Sequence, residues 1–112
     1  MIKPEMVTTN FDLAGYRIVE SLGIVRGIIV RSRGAGGNLV ASFMTLFGGN
    51  NVLYSRMCET AREHAYDLMI AHAAERGANA VIGFRYDATE LMAGLTEVLA
   101  YGTACKVEKT NG

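Results

Sequence analysis

The stretch Tyr16 to Arg33, YRIVESLGIVRGIIVRSR, decides the architecture. It is rich in β-branched residues and carries glycines at Gly23 and Gly27, which predicts one long strand, bent or bulged at its glycines. A sheet covered by helix on one side only shows polar residues at every second position. This strand departs from that rule at Ile28-Ile29-Val30, where apolar side chains occupy both faces at once. Ala80-Val81-Ile82 and Val98-Leu99-Ala100 repeat the departure further along the chain.

Working outward, Met1 to Asn10 reads as a loose lead-in, because Lys3-Pro4 disfavours helix and Thr8-Thr9-Asn10 supplies turn chemistry. Beyond the strand, Gly34 to Gly37 breaks the chain. Asn38 can then cap a short helix, Leu39 to Phe47, which Gly48-Gly49 ends. From Val52 to Arg76, the positions Tyr54, Met57, Cys58, Ala61, Ala65, Leu68, Met69 and His72 follow the three-and-four rhythm of one helical face. Gly77 is the natural stop for that long helix. Two strands follow, Ala80 to Glu90 and Leu95 to Val107, joined across Met92-Ala93-Gly94 as hairpins are. Residues 108–112 read as a tail. The expected fold is a single α+β domain over 1–112, in two layers: one long and one short helix on an antiparallel sheet of about three strands.

One long helix covers only one face of such a sheet. Leaving the second face wet would forfeit roughly 25 cal/mol for each square ångström of apolar surface, so the reading is that another copy of the chain buries it. The stretch between Arg33 and Arg56 holds no charged residue and contains LVASFMTLF. Such a run, too short and too glycine-rich to span a bilayer, reads as a core or subunit contact.

Half of the 112 residues are apolar and the charges balance, 11 basic against 11 acidic. The chain therefore has no long-range pull on nucleic acid, and its basic residues are not interleaved with an aromatic platform. Cys58 and Cys105 lie in apolar-patterned segments and read as reduced thiols, which with the absence of an apolar h-region near Met1 points to the cytoplasm. No stretch approaches the roughly 18 uninterrupted apolar residues of a membrane helix.

Four strings, LGIVRG (22–27), AREHAYDLM (61–69), RGANAVIGFRYD (76–87) and EVLAYGTACKV (97–107), occur in an order that resembles the YbjQ-like family, also called UPF0145 or DUF74. That family's members are often labelled "putative heavy-metal-binding domain". The likeness spans about residues 8–107. It implies a dodecin-like subunit, a helix on an antiparallel sheet, assembled as a ring commonly of five copies; it implies no activity, because the family is uncharacterised. Where relatives commonly carry an acidic residue after the paired glycines, this chain has Asn50-Asn51, which removes one candidate carboxylate.

The candidate sites are few. For metal, Glu63, His64 and Asp67 form the best local cluster, although Glu63 and Asp67 also read as a like-charge pair on a solvated helix face. Cys58 and His64 lie about 240° apart around a helix, and Cys58 and His72 share a face but stand about 21 Å apart along it. A site completed between subunits remains open. For an anion, Arg31 and Arg33 precede Gly36, Gly37 and Asn38 at the start of the short helix, where backbone amides can hold negative charge; the alternative is a plain turn from strand to helix. Cys58 and Cys105 read as packed apolar residues rather than nucleophiles, and His72 as a satisfied boundary histidine. Tyr86, Asp87, Thr89 and Glu90 are the polar stretch of the hairpin, a solvated surface or the rim of a ring. The functional expectation is a homo-oligomeric binding or scaffold protein without its own catalysis or cofactor. The alternative is a metal-handling protein or enzyme whose site assembly completes.

Overall fold

The computed structural model describes residues 2–32, 50–92 and 94–110. After a 3-10 turn, Pro4–Met6, come β1 (Tyr16–Ser32), α1 (Asn50–Glu75), β2 (Ala80–Met92) and β3 (Leu95–Lys109). The strands form one antiparallel sheet in the order β1-β3-β2, with α1 across one face. The expected short helix, Leu39 to Phe47, lies outside the described residues.

α1 buries Ala61, Ala65, Met69 and Ala73, a line of mostly small side chains spaced by four. The reason for their size lies opposite them. A Cβ on Gly27 would strike the Ala65 carbonyl and sit 2.5 Å from the Met69 amide nitrogen and 2.8 Å from the Leu68 Cβ. The helix backbone thus rests directly on β1 at Gly27. Gly27 is therefore not the bulge its sequence suggested; the ladder runs without a break from Gly23↔Ala104 to Ser32↔Leu95. The irregularities fall between Ile18 and Glu20 and between Ser21 and Gly23, where Gly23 takes a φ of 88°. Leu68, expected on the dry face, is 41% exposed, and Ile70 is buried in its stead.

Gly77 ends α1 as anticipated. Its φ is 81°, its N–H donates to the Ala74 carbonyl at 3.0 Å, and Ala78 N–H reaches back to Ala73 at 3.1 Å. These two bonds satisfy carbonyls that the helix end would otherwise leave unpaired. Asn79 then starts the sheet in an unusual way. Its side-chain amide donates to the Val107 carbonyl at 3.0 Å and accepts the Val107 N–H at 2.8 Å, imitating one residue of a neighbouring strand.

The core under α1 gathers Val25, Val81, Phe84, Ala100 and Ala104 around Met69, and Ile2 closes it. A second cluster, Ala80, Cys105 and Val107, lies apart from this one and is packed by Met6, Leu13, Tyr16 and Ile82. Residues 2–10, expected as a loose lead-in, are in fact docked. Val7 bridges Val81 in parallel, and Thr8 donates to the Val81 carbonyl and accepts from Phe84 N–H, both at 3.0 Å. Asn10 accepts from Gly83 N–H at 2.7 Å. The apolar positions of this segment and the unpaired edge of β2 satisfy each other. At the other end the strand outruns its expected limit. Glu108 pairs with Arg17 at 2.9 Å, and Thr110 N–H donates to Gly15 at 2.9 Å, so residues 108–110 continue the sheet's contacts.

Candidate functional site

Directly paired residues of neighbouring strands point to the same face of a sheet, so the register fixes what the face away from α1 displays. Its rows are Ile24–Thr103–Ile82, then Arg26–Tyr101–Arg85, then Ile28–Leu99–Asp87, then Val30–Glu97–Thr89. The basal end of this face is covered by the chain's own residues 6–16. Beside and beyond that cover no described residue shields β1: Ile24 is 67% exposed, Ile28 44% and Val30 53%. A patch of branched apolar residues along one strand, with the half-buried Tyr101 and Leu99 beside it, thus stands open among the described residues.

The edges are divided in the same way. In the lower part of β1, His72 Nδ1 accepts the Arg26 N–H at 3.2 Å, which leaves the ring proton to Nε2. Arg76 Nη1 donates to the Leu22 carbonyl at 3.0 Å and to Ile24 at 3.2 Å. His72 of α1 and Arg76 just past its end therefore occupy backbone groups that β1 would otherwise offer to another strand. This is the satisfied role expected for His72. The role of Arg76 was missed, since a side chain bonding across elements leaves no periodic trace in sequence.

Over β2, Phe84 stands edge-on to Tyr66, with centroids 5.6 Å apart, and to Tyr86, at 4.8 Å. Burial pushes both tyrosine hydroxyls up from their ordinary pKa. Tyr86 is raised further by Glu59, Asp67 and Glu63, against a lowering by Arg62. Arg85 turns back on the chain and donates through Nη1 to Thr9 at 2.9 Å and to Phe84 at 2.8 Å.

The other sequence candidates separate as follows. Glu63, His64 and Asp67 are all exposed on α1. Among the described residues no three of His, Cys, Asp and Glu come together as a metal would require. Cys105 is fully buried, its thiol lies 3.7 Å from the Ala80 carbonyl, and burial pushes its pKa up. A thiol held neutral and out of solvent is a packing residue. The Cys58 side chain lies outside the described part. Of the anion candidates, Arg31 is half-buried in β1, whereas Arg33, Gly36, Gly37 and Asn38 lie outside the described residues. Tyr86, Asp87, Thr89 and Glu90 are exposed along β2.

Residues 5–108 match the sequence pattern of the YbjQ family, described as "Putative heavy-metal-binding". The chain belongs to this family. A UPF0145 protein of Burkholderia thailandensis is 58% identical over 104 residues, covering 93% of this chain and 94% of its own. One from Solibacter usitatus is 57% identical over 107 residues and 96% of each chain. Among solved structures, a DUF74 protein of unknown function from Pediococcus pentosaceus superposes with a TM-score of 0.60. It is 17% identical and covers 91% of this chain and 96% of its own, so the likeness is one of fold. For this YbjQ-family chain the family's description meets a plain obstacle. The described residues of one copy do not furnish a metal's ligand set. No helix among them is long and apolar enough to cross a membrane.

Proposed function

We propose that this chain is a homo-oligomeric binding or scaffold protein of the cytoplasm, a ring of copies, commonly five, without catalysis of its own. The observation that carries the reading is the distal sheet, apolar on a face that nothing described covers, on a molecule 58 Å long and only 20 Å across its thinnest axis. A single helical layer cannot dry both sides of so thin a body, and apolar surface of that kind is favourably buried against a second copy. Light scattering on the purified chain should give several times 12.1 kDa, fivefold for a five-membered ring. A monodisperse particle of one chain's mass overturns the proposal.

The family's description supports a second reading, a metal held between copies. A ring brings one side chain from each copy together, and exposed His64 with Glu63 and Asp67 supplies the donor chemistry for such a site. Native mass spectrometry after incubation with zinc, copper or nickel tests it. An ion retained in fixed ratio to the oligomer supports the reading, and an intact oligomer that retains none defeats it.

A further inference from the structure

The C-terminal end of α1 is fastened to β1 by two side chains, His72 and Arg76, and only one of them changes charge in mildly acidic water. We infer that His72 is a proton-sensitive clasp: neutral, it holds the last turn of α1 on the edge of β1, and protonated, it releases that edge. Both halves of the clasp lie in one chain, so it stands or falls apart from the oligomeric reading.

Donor and acceptor dictate the chemistry. The Arg26 N–H donates to His72 Nδ1 at 3.2 Å. A backbone amide nitrogen has only a proton to offer, so Nδ1 must supply a lone pair, and the imidazole is neutral with its own proton on Nε2. Adding a proton turns Nδ1 into a donor facing a donor. The bond is then lost and the Arg26 amide is left without its acceptor. Histidine is the side chain that makes such a change between about pH 5 and pH 8, and His72 is only half-buried, so a proton from solvent can reach it.

The second fastening does not titrate. Arg76 Nη1 donates to the Leu22 carbonyl at 3.0 Å and to the Ile24 carbonyl at 3.2 Å, and a guanidinium keeps its charge throughout that range. The strand is shaped to receive it. Gly23, with a φ of 88°, lies at the irregularity that begins at Ser21, and a Cβ there would stand 3.2 Å from Arg76 Nη1. Arg76 thus takes two carbonyls of β1 and His72, one helical turn earlier, takes the amide that follows them along the same edge. Opening the clasp leaves the chain pinned at Arg76 and frees the turn before it.

The charges around the ring oppose one another. Glu75 and Arg76 stand beside it in the chain. β3 brings Lys106, and β1 brings Glu20, which pairs with Lys106 at 3.7 Å; the Arg26 side chain lies on the far face, in the row with Tyr101 and Arg85. An imidazolium gains from Glu75 and from the negative end of α1, and loses against Arg76 four residues on. None of these groups gives Nδ1 back its lone pair.

The test is amide hydrogen exchange on the full chain, read by NMR from about pH 7.5 to about pH 5 and corrected for the intrinsic pH dependence of exchange. Protection of the Arg26 amide should fall by about fivefold, the worth of one hydrogen bond, in step with the ring resonances of His72. The amides of Val25 and Gly27, which point the other way, toward β3, should keep theirs. His72→Asn places an amide oxygen where Nδ1 stood, with no proton to gain, and should keep Arg26 protected across the whole range. His72→Ala should leave it unprotected at both ends. An Arg26 amide that stays protected while the His72 ring takes up its proton overturns the clasp, and so does a ring that takes up none by about pH 5. Equal losses at Val25 and Gly27, or a fall in His72→Asn that matches the parent, overturn it too, because the pH effect then lies elsewhere. Should His72→Ala fail to fold, the parent and His72→Asn decide.

Discussion

The two ends of the sheet are built to different standards. At the basal end most surfaces have a cover, although Ile18, Val19 and Ile24 stay exposed: α1 on one face, residues 6–16 over the other, His72 and Arg76 along β1, and Thr8 with Asn10 along β2. At the distal end, past the row Arg26–Tyr101–Arg85, the same strands continue with Ile28 and Val30 exposed on one edge and Leu91 and Met92 on the other. β1 is apolar in both parts, whereas β2 turns mostly polar beyond Phe84. What differs along β1 is the supply of side chains to close it, so that one strand joins the core at Val25 and stands exposed at Ile28 and Val30.

The comparison is broken most severely at Gly27. Gly27→Ala places a methyl group against the backbone of α1 at Ala65 and Met69, where no side-chain rotation relieves it. It should lower stability by about 3 kcal/mol, at the upper end for overpacked sites, read as a reduced urea midpoint. A change below about 0.5 kcal/mol would mean that helix and strand do not meet there.

Asn79→Ala is the next largest. It strips two hydrogen bonds from Val107 at the root of the sheet, for a loss of about 2 kcal/mol. Hydrogen exchange should localise the weakening to the amides of residues 105–109. Uniform loss across α1 as well would show that the basal end is not a separate unit.

The smallest effect concerns the aromatic group over β2. Tyr66 and Tyr86 are raised above their ordinary 10.0. Above pH 10 the unfolded chain therefore loses these protons before the folded one does. The folded state then holds more protons, and its stability falls as pH rises through and beyond that value. Phenolate absorbance should show two tyrosines titrating late. Tyr86→Phe should remove one of them and blunt the alkaline loss, while normal titration of both would detach Tyr86 from the carboxylates of α1.

Much of this was legible in sequence because it is periodic. The described strand and helix limits fell within two residues of the expected ones, and the runs Ile28-Ile29-Val30 and Val98-Leu99-Ala100 announced strands with apolar residues on both faces. Three things were hidden, each because it turns on a contact with a distant part of the chain. Ile2 and Val7 look like an unpatterned lead-in until β2 is there to receive them. Arg76 resembles any solvated residue at a helix end, yet it holds the Leu22 and Ile24 carbonyls. Gly27 resembles a bulge glycine, yet its missing side chain is space for a helix. The candidate contact surface was half-visible: alternation showed that a second face needs cover, but not that residues 6–16 already supply it for the basal end. The metal candidates Glu63, His64 and Asp67 were legible as neighbours on α1, and all three stand exposed there.

The strand order has a temporal side. β3 lies between β1 and β2, and Tyr16 pairs with Lys109, so the first strand synthesised has no partner until the last is made. α1 and the β2–β3 hairpin close over short separations and can form early, whereas β1 must wait for the longest loop in the chain to shut. During that wait its uncharged run, GIIV at residues 27–30, has no neighbouring strand. The same residues that stand exposed in the folded sheet are the ones that wait longest for a strand partner in the growing chain.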